Sequence, residues 1–262
     1  MTVSIQQKYN KWNNVLYNRY TKKFDKKTTI WDGVIFPEKY AEAPLKVMIL
    51  NKEAYDPYPE NIPYDLCKAI RDNIKNGNRI FPDQNTLRTH LKQYLKVLDL
   101  GTNGFLSLSD DSVSEQVQST DYDEFLRLFE RVAYCNVKKS DGNPKSNKND
   151  LYNHAKDGLD ILKEQSRFFN PSVILAGNVC EGILEGLVEW GEDLYIDPDR
   201  HVCIWQIMIN DDCFPFVDMY HPSLAKGMGE YFLELLHSIQ EVEKKHPGFW
   251  QERMNKSCFV TQ

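Results

Sequence analysis

His221, Pro222 and Ser223 follow an apolar run, FPFVDMY, that suits a β-strand, and they precede residues with helical periodicity. A histidine at a strand end, with proline fixing the turn behind it, presents its imidazole at the rim of a sheet, where α/β proteins hold ligands. An earlier apolar run, LKVMILN, leads into the acidic loop KEAYDPY, which brings Glu53 and Asp56 to the same rim. A carboxylate and an imidazole on opposite sides of one pocket suit cleavage of a glycosidic bond.

Such groups need elements to position them. LKVMILN, bounded by Pro44 and a polar loop, reads as a central parallel strand buried on both faces. VAYCNV and SVILAG read as a second and third strand, and HVCIWQIMI as an edge strand or as the hairpin partner of FPFVDMY. Helices are expected over residues 65–76, 85–98, 122–131, 151–169, 179–190 and 229–245, with 99–121 as a Ser/Asp/Gly-rich connection. Trp12, Leu16 and Tyr20 share one helical face in residues 1–43, which read as a helical N-terminal extension. Strands alternating with helices predict a three-layer α/β/α sandwich around a mostly parallel, four-stranded central sheet, in one domain spanning 1–262.

Four loops then converge at the strands' C-terminal ends. They carry Asn51, Glu53, Tyr55 and Asp56; Asn136, Lys138, Lys139 and Ser140; Gly177 and Asn178; and His221 and Ser223. Any one of these suits a cap or a turn, but together they suit a site.

Composition narrows the classes. A net charge of −6 and a pI near 5.6 argue against a nonspecific nucleic-acid coat, yet Lys residues concentrate at 22–27 and in the loop KKSDGNPKSNKN. The six cysteines form no C-x-x-C and no Cys/His ligand cluster, so neither a zinc site nor any other cofactor is expected, and reduced thiols point to the cytoplasm. No apolar leader and no stretch of the ~18 apolar residues a span requires is present, so no membrane partner is expected. The phosphate-cradling motifs G-x-G-x-x-G and G-x-x-x-x-G-K-[ST] are absent.

Four segments, in order, resemble the uracil-DNA glycosylase superfamily, most closely its iron–sulfur-containing branch, over roughly residues 45–240. ILNKEAY resembles the first motif, ILGQDPY in one branch and VGEAPG in another. YCNVKKSDGNPK resembles NVVKCRPPGNR, DILKEQSRFFNPSVILAGNVCEGIL resembles PYLxxQIxLIxPKVIVALGxxAAxxLL, and YHPSLA resembles YHPSALLR. Gly158 stands about where the branch carries a cluster cysteine, and no N-terminal pair of cysteines is present, so no iron–sulfur cluster is expected. The downstream Gly-x-Pro-Phe that floors the uracil pocket has no counterpart after Tyr58, which leaves the base open.

The resemblance implies a monofunctional DNA glycosylase that flips out a damaged or modified base and hydrolyses its N-glycosidic bond. Uracil and modified cytosines are the candidates, hypermodified phage bases among them, since some bacterial members serve antiviral defence. Glu53 would position the water and stabilise the sugar cation, because strand register sets ILNKE against ILGQD. Asp56 competes, since Asp56-Pro57-Tyr58 repeats DPY. His221 would donate to the departing base, Asn136 would read its edge, Tyr55 would screen its size, and Asn51 would line the pocket. Ser140 and Ser223 would take phosphates, Leu224 would wedge into the stack, and Lys138, Lys139, Lys145 and Lys226 would hold the DNA backbone. A monomer acting on DNA is expected; the alternative is a catalytically inactive DNA- or protein-binding module on the same fold.

Overall fold

The computed structural model describes residues 4–24, 29–53, 64–82, 84–140, 147–197, 199, 201–209, 211–219 and 231–259. Helix α1 (Ile5–Lys23) starts at a capping box between Ser4 and Gln7, and two short strands follow, β1 (Ile30–Trp31) and β2 (Gly33–Val34). Helix α2 (Pro37–Glu42) leads to β3 (Val47–Asn51). After β4 (Tyr64–Asp65) come α3 (Leu66–Lys75), α4 (Asn85–Leu100), α5 (Asp110–Ser119) and α6 (Tyr122–Phe129). The chain continues through β5 (Val132–Asn136), α7 (Lys148–Phe169), β6 (Val173–Gly177), β7 (Glu189–Ile196), β8 (Val202–Ile209) and β9 (Asp212–Met219). Helices α8 (Tyr231–Lys245) and α9 (Phe249–Arg253) complete it.

The main sheet is mixed and seven-stranded, in the order β2-β5-β3-β6-β9-β8-β7, and β1 pairs with β4 in a small parallel sheet. Four contiguous strands, β5, β3, β6 and β9, run parallel; β2 joins one edge antiparallel, and β8 and β7 extend the other as antiparallel neighbours. The sheet is therefore larger than the four-stranded one expected, and mixed. Every residue of β3, β5 and β6 is buried, as strands covered on both faces require.

Side-chain alternation sorts the core into two halves. Ile49, Tyr134, Leu175 and Val217 meet the helices α4, α6 and α8 on one face; Met48, Leu50, Cys135 and Ala176 meet α1 and α7 on the other. Helix α1 is part of this packing: Trp12 stacks on Phe168 with ring centroids 4.1 Å apart. Helix α1 thus covers the sheet, and Gly33–Val34 extends it.

Two further expectations need correction. The 99–121 connection contains α5, whose start is capped by Ser109 accepting from the Ser112 N–H. The helix expected over 179–190 is a single π-type turn, Cys180–Leu184, followed by β7. Gly182 and Gly186 adopt φ of 69° and 76°, a left-handed conformation incompatible with continued α-helix, so the apolar spacing there serves a turn and an edge strand.

Candidate functional site

The C-terminal ends of β3 and β5 lie side by side, with Asn51 directly opposite Asn136. The parallel ladder runs on past both strands: Val137 N–H donates to Asn51 O at 2.8 Å, and Lys138 N–H donates to Lys52 O at 2.9 Å. Asn136 N–H is taken at 2.6 Å by Asp32 Oδ2, a buried carboxylate between β1 and β2. The two asparagines therefore sit on fixed backbone, on the face shared with Tyr134 and Ile49.

Their side chains are 2% and 1% exposed, yet both amide atoms of Asn51 and the Nδ2 of Asn136 have no hydrogen-bond partner among the described residues. Burial raises the Tyr134 hydroxyl above its usual range and the Asn51 side chain pulls it back, but the two are not placed to hydrogen-bond. Leaving a buried amide unpaired costs about 1–3 kcal/mol, so native proteins keep such groups for a ligand or an ordered water.

Glu53 lies two residues beyond Asn51, its side chain only 6% exposed. Its Oε2 is 3.6 Å from the Lys138 Nζ, and that Nζ also donates to Asp150 Oδ2 of α7 at 2.8 Å. On the other flank, Asp218, the penultimate residue of β9, accepts from the Val179 N–H at 3.0 Å and the Cys180 N–H at 3.3 Å. Burial raises the Asp218 carboxyl to about 6, while those N–H groups and Lys52 act to lower it. Burial lowers the Lys52 ammonium in turn, and Asp218 is the first of the carboxylates that offset this.

Several expected site residues are thus accounted for. Asn51, Glu53, Asn136 and Lys138 come together on one rim. Tyr55, Asp56, Lys145, His221, Ser223, Leu224 and Lys226 lie outside the described residues. Two of the backbone-holding roles need correction. Lys139 is 0% exposed; its Nζ donates to both Asp32 oxygens at 3.0 Å and to Gln165 Oε1 at 2.9 Å, so it neutralises a buried acid and offers no charge to a phosphate. Lys138, with a side chain 7% exposed, is held between Glu53 and Asp150 and belongs to the site's interior. Ser140 is buried as well, in an antiparallel bridge to Thr29, which withdraws it from a phosphate-binding surface.

Asp32, Asp150 and Asp218 were missed. Asp32 interrupts the apolar stretch TIWDGVIF, and an acid in such a run is a sign of a buried partner; Cys135, Val137 and Lys139 alternate onto one face and place that partner. Asp150 and Asp218 leave no comparable mark, since an acid in a helix's first turn or at a strand end is ordinary.

A cleft of about 730 Å³ opens where β6 and β9 end beside β7 and β8, lined by Asn178, Glu185, Trp190, Asp193, Trp205 and Asp218. Its acidic lining disfavours phosphate. Among the described residues no cluster of three or more His, Cys, Asp or Glu side chains is placed to hold a metal ion, and no helix is long and apolar enough to cross a membrane. Comparison of the chain with protein-family models and with curated proteins finds no match. What the site does must therefore be argued from its own geometry.

Proposed function

We propose that this protein is a monofunctional DNA glycosylase that hydrolyses the N-glycosidic bond of an extruded uracil or modified cytosine, in a uracil-DNA glycosylase-like fold. What supports this reading is the pair of buried asparagines at adjacent parallel strand ends, both amide atoms of Asn51 and the Nδ2 of Asn136 without a hydrogen-bond partner among the described residues, with Glu53 beyond them. A side-chain amide offers donor and acceptor together, which is what reading a base edge requires. A rim of this kind cannot reach a base inside a stacked duplex, so the nucleotide must be flipped out.

In the proposed reaction the C1′–N bond breaks and its electron pair leaves with the base. A water oxygen bonds to C1′, the water's proton passes to solvent, and the base takes up a proton. The sugar passes through an oxocarbenium-like state, which a carboxylate beside C1′ stabilises. Glu53 fills that role and positions the water; Asp56 remains its competitor. Asn51 and Asn136 hold the base edge. His221 donates to the base as its negative charge grows, and Tyr55 limits its size. Ser223, Lys145 and Lys226 are assigned to phosphates and Leu224 to the vacated stack. These last roles, from Tyr55 to Leu224 and including His221, rest on the sequence resemblance. The absence of a Gly-x-Pro-Phe motif after Tyr58 leaves the base open, and modified cytosines of phage DNA, with antiviral defence, are included on the family resemblance.

The alternative, a binding module without chemistry, draws on Lys138, whose ammonium partly offsets the Glu53 charge. An abasic-site assay separates the two. Oligonucleotides bearing uracil, hypoxanthine, hydroxymethylcytosine or its glucosylated forms are incubated with wild type, Glu53→Ala, Asp56→Ala and His221→Ala, then cleaved with alkali. Base release by wild type, lost in Glu53→Ala and His221→Ala, is expected. DNA binding with no abasic product on any substrate would make the protein a binder.

A further inference from the structure

A cation against the catalytic carboxylate is at first sight a defect, because it cancels the field that should stabilise a sugar cation. Its arrangement argues otherwise. Lys138 is fixed at its backbone by the Lys52 carbonyl, and its Nζ lies 2.8 Å from Asp150 Oδ2 but 3.6 Å from Glu53 Oε2. The close hydrogen bond goes to Asp150 and the looser ion pair to Glu53. Lys138 draws the Asp150 carboxyl below its usual range. Two carboxylates around one ammonium leave the group with a net charge of −1, and Glu53 is its deeply buried member, with a side chain 6% exposed against 43% for Asp150. Beyond this trio, Lys52 interacts electrostatically with Glu53, and the Nε2 of His154 on α7 is 3.6 Å from Asp150 Oδ1.

We infer that Lys138 and Asp150 are positioning residues for Glu53: Lys138 fixes the carboxylate's orientation, and Asp150 absorbs the Lys138 charge so that the Glu53 field survives at C1′. This rests on the glycosylase reading of the site. Without Asp150 the ammonium would close onto Glu53 and the pair would be neutral when the oxocarbenium forms. Without Lys138 the carboxylate would lose its aim.

The test measures single-turnover base release at saturating enzyme, with KM and DNA affinity alongside, for wild type, Asp150→Asn, Lys138→Met and Lys138→Arg. Asp150→Asn is expected to lower the chemical rate roughly tenfold at unchanged DNA affinity, and Lys138→Met by about as much or more, with Lys138→Arg restoring most of the Met loss. Asp150 is half exposed, so its variant should melt with wild type, and a purely structural role would leave the rate of the folded variant unchanged. An active wild type whose Asp150→Asn and Lys138→Met variants keep rates within about twofold overturns this inference alone. A wild type that releases no base overturns the glycosylase reading and this inference with it. Borohydride trapping of a covalent DNA adduct by wild type but not by Lys138→Met would make Lys138 a nucleophile and overturn its positioning role.

Discussion

In the proposed site, Asn51 and Asn136 are the residues whose burial serves a ligand and not the fold. A buried amide with no partner lowers stability, so replacing it with an apolar side chain of similar size should relieve the fold. Asn51→Leu is therefore expected to raise the unfolding free energy by about 1 kcal/mol in denaturant titration while abolishing base release. A destabilised Asn51→Leu protein would mean that the amide is a structural bond. Asp218 gives a pH signature. Its folded carboxyl titrates near 6, above the ordinary 3.8, so between those values the folded protein holds more protons than the unfolded chain. Its contribution to stability therefore falls as pH rises through that window, and the charged form is the costly one above it. Asp218→Asn should remove this slope: relative to the variant, wild type loses about 2 kcal/mol between pH 4 and 6.5. Equal pH dependence of the two melting curves would show that burial does not disfavour the Asp218 charge.

At the scale of elements, the parallel strands were legible because they are fully buried and read as unbroken apolar runs, VMILN, VAYCN and VILAG. The long helices were legible through their 3.6-residue spacing, and α7 ends at Asn170, in the left-handed conformation, as the Asn-Pro stop implied. The segment from 179 to 196 was not, because apolar residues spaced for a helix face also suit a turn into an edge strand, and only the left-handed glycines decide between them. The role of α1 was half legible: Trp12, Leu16 and Tyr20 marked a face, but nothing local says that the face lies on the sheet. Trp12→Ala would remove the stack on Phe168 and the edge contact to Phe169, and should cost about 3–5 kcal/mol in global unfolding. A loss below ~1 kcal/mol would make α1 a detachable extension after all. Lys139→Met would remove the ammonium that pairs with the buried Asp32 carboxylate, at a similar cost of about 3–5 kcal/mol. That substitution would also loosen Asn136, whose N–H rests on the same carboxylate.

For the molecule as a whole, the proposed activity sits on an acidic chain, and the corrected lysines sharpen what that means. With Lys138 held by Glu53 and Asp150 and Lys139 by buried Asp32, the proposed phosphate contacts fall to Lys145 and Lys226. Each contact contributes a slope of roughly 0.7–0.9 in the logarithm of affinity against the logarithm of salt. Lys145→Ala and Lys226→Ala should each lower the slope by about that amount, and Lys138→Met should leave it unchanged. A slope that drops with Lys138 would return that residue to the DNA surface. The most direct test of the central claim is single-turnover base release by wild type and Glu53→Gln on DNA carrying uracil or a modified cytosine, both proteins first shown to bind that DNA equally. The account predicts an alkali-labile abasic site with wild type and its near-complete loss with Glu53→Gln. Equal release by the two, or none by either, would contradict it.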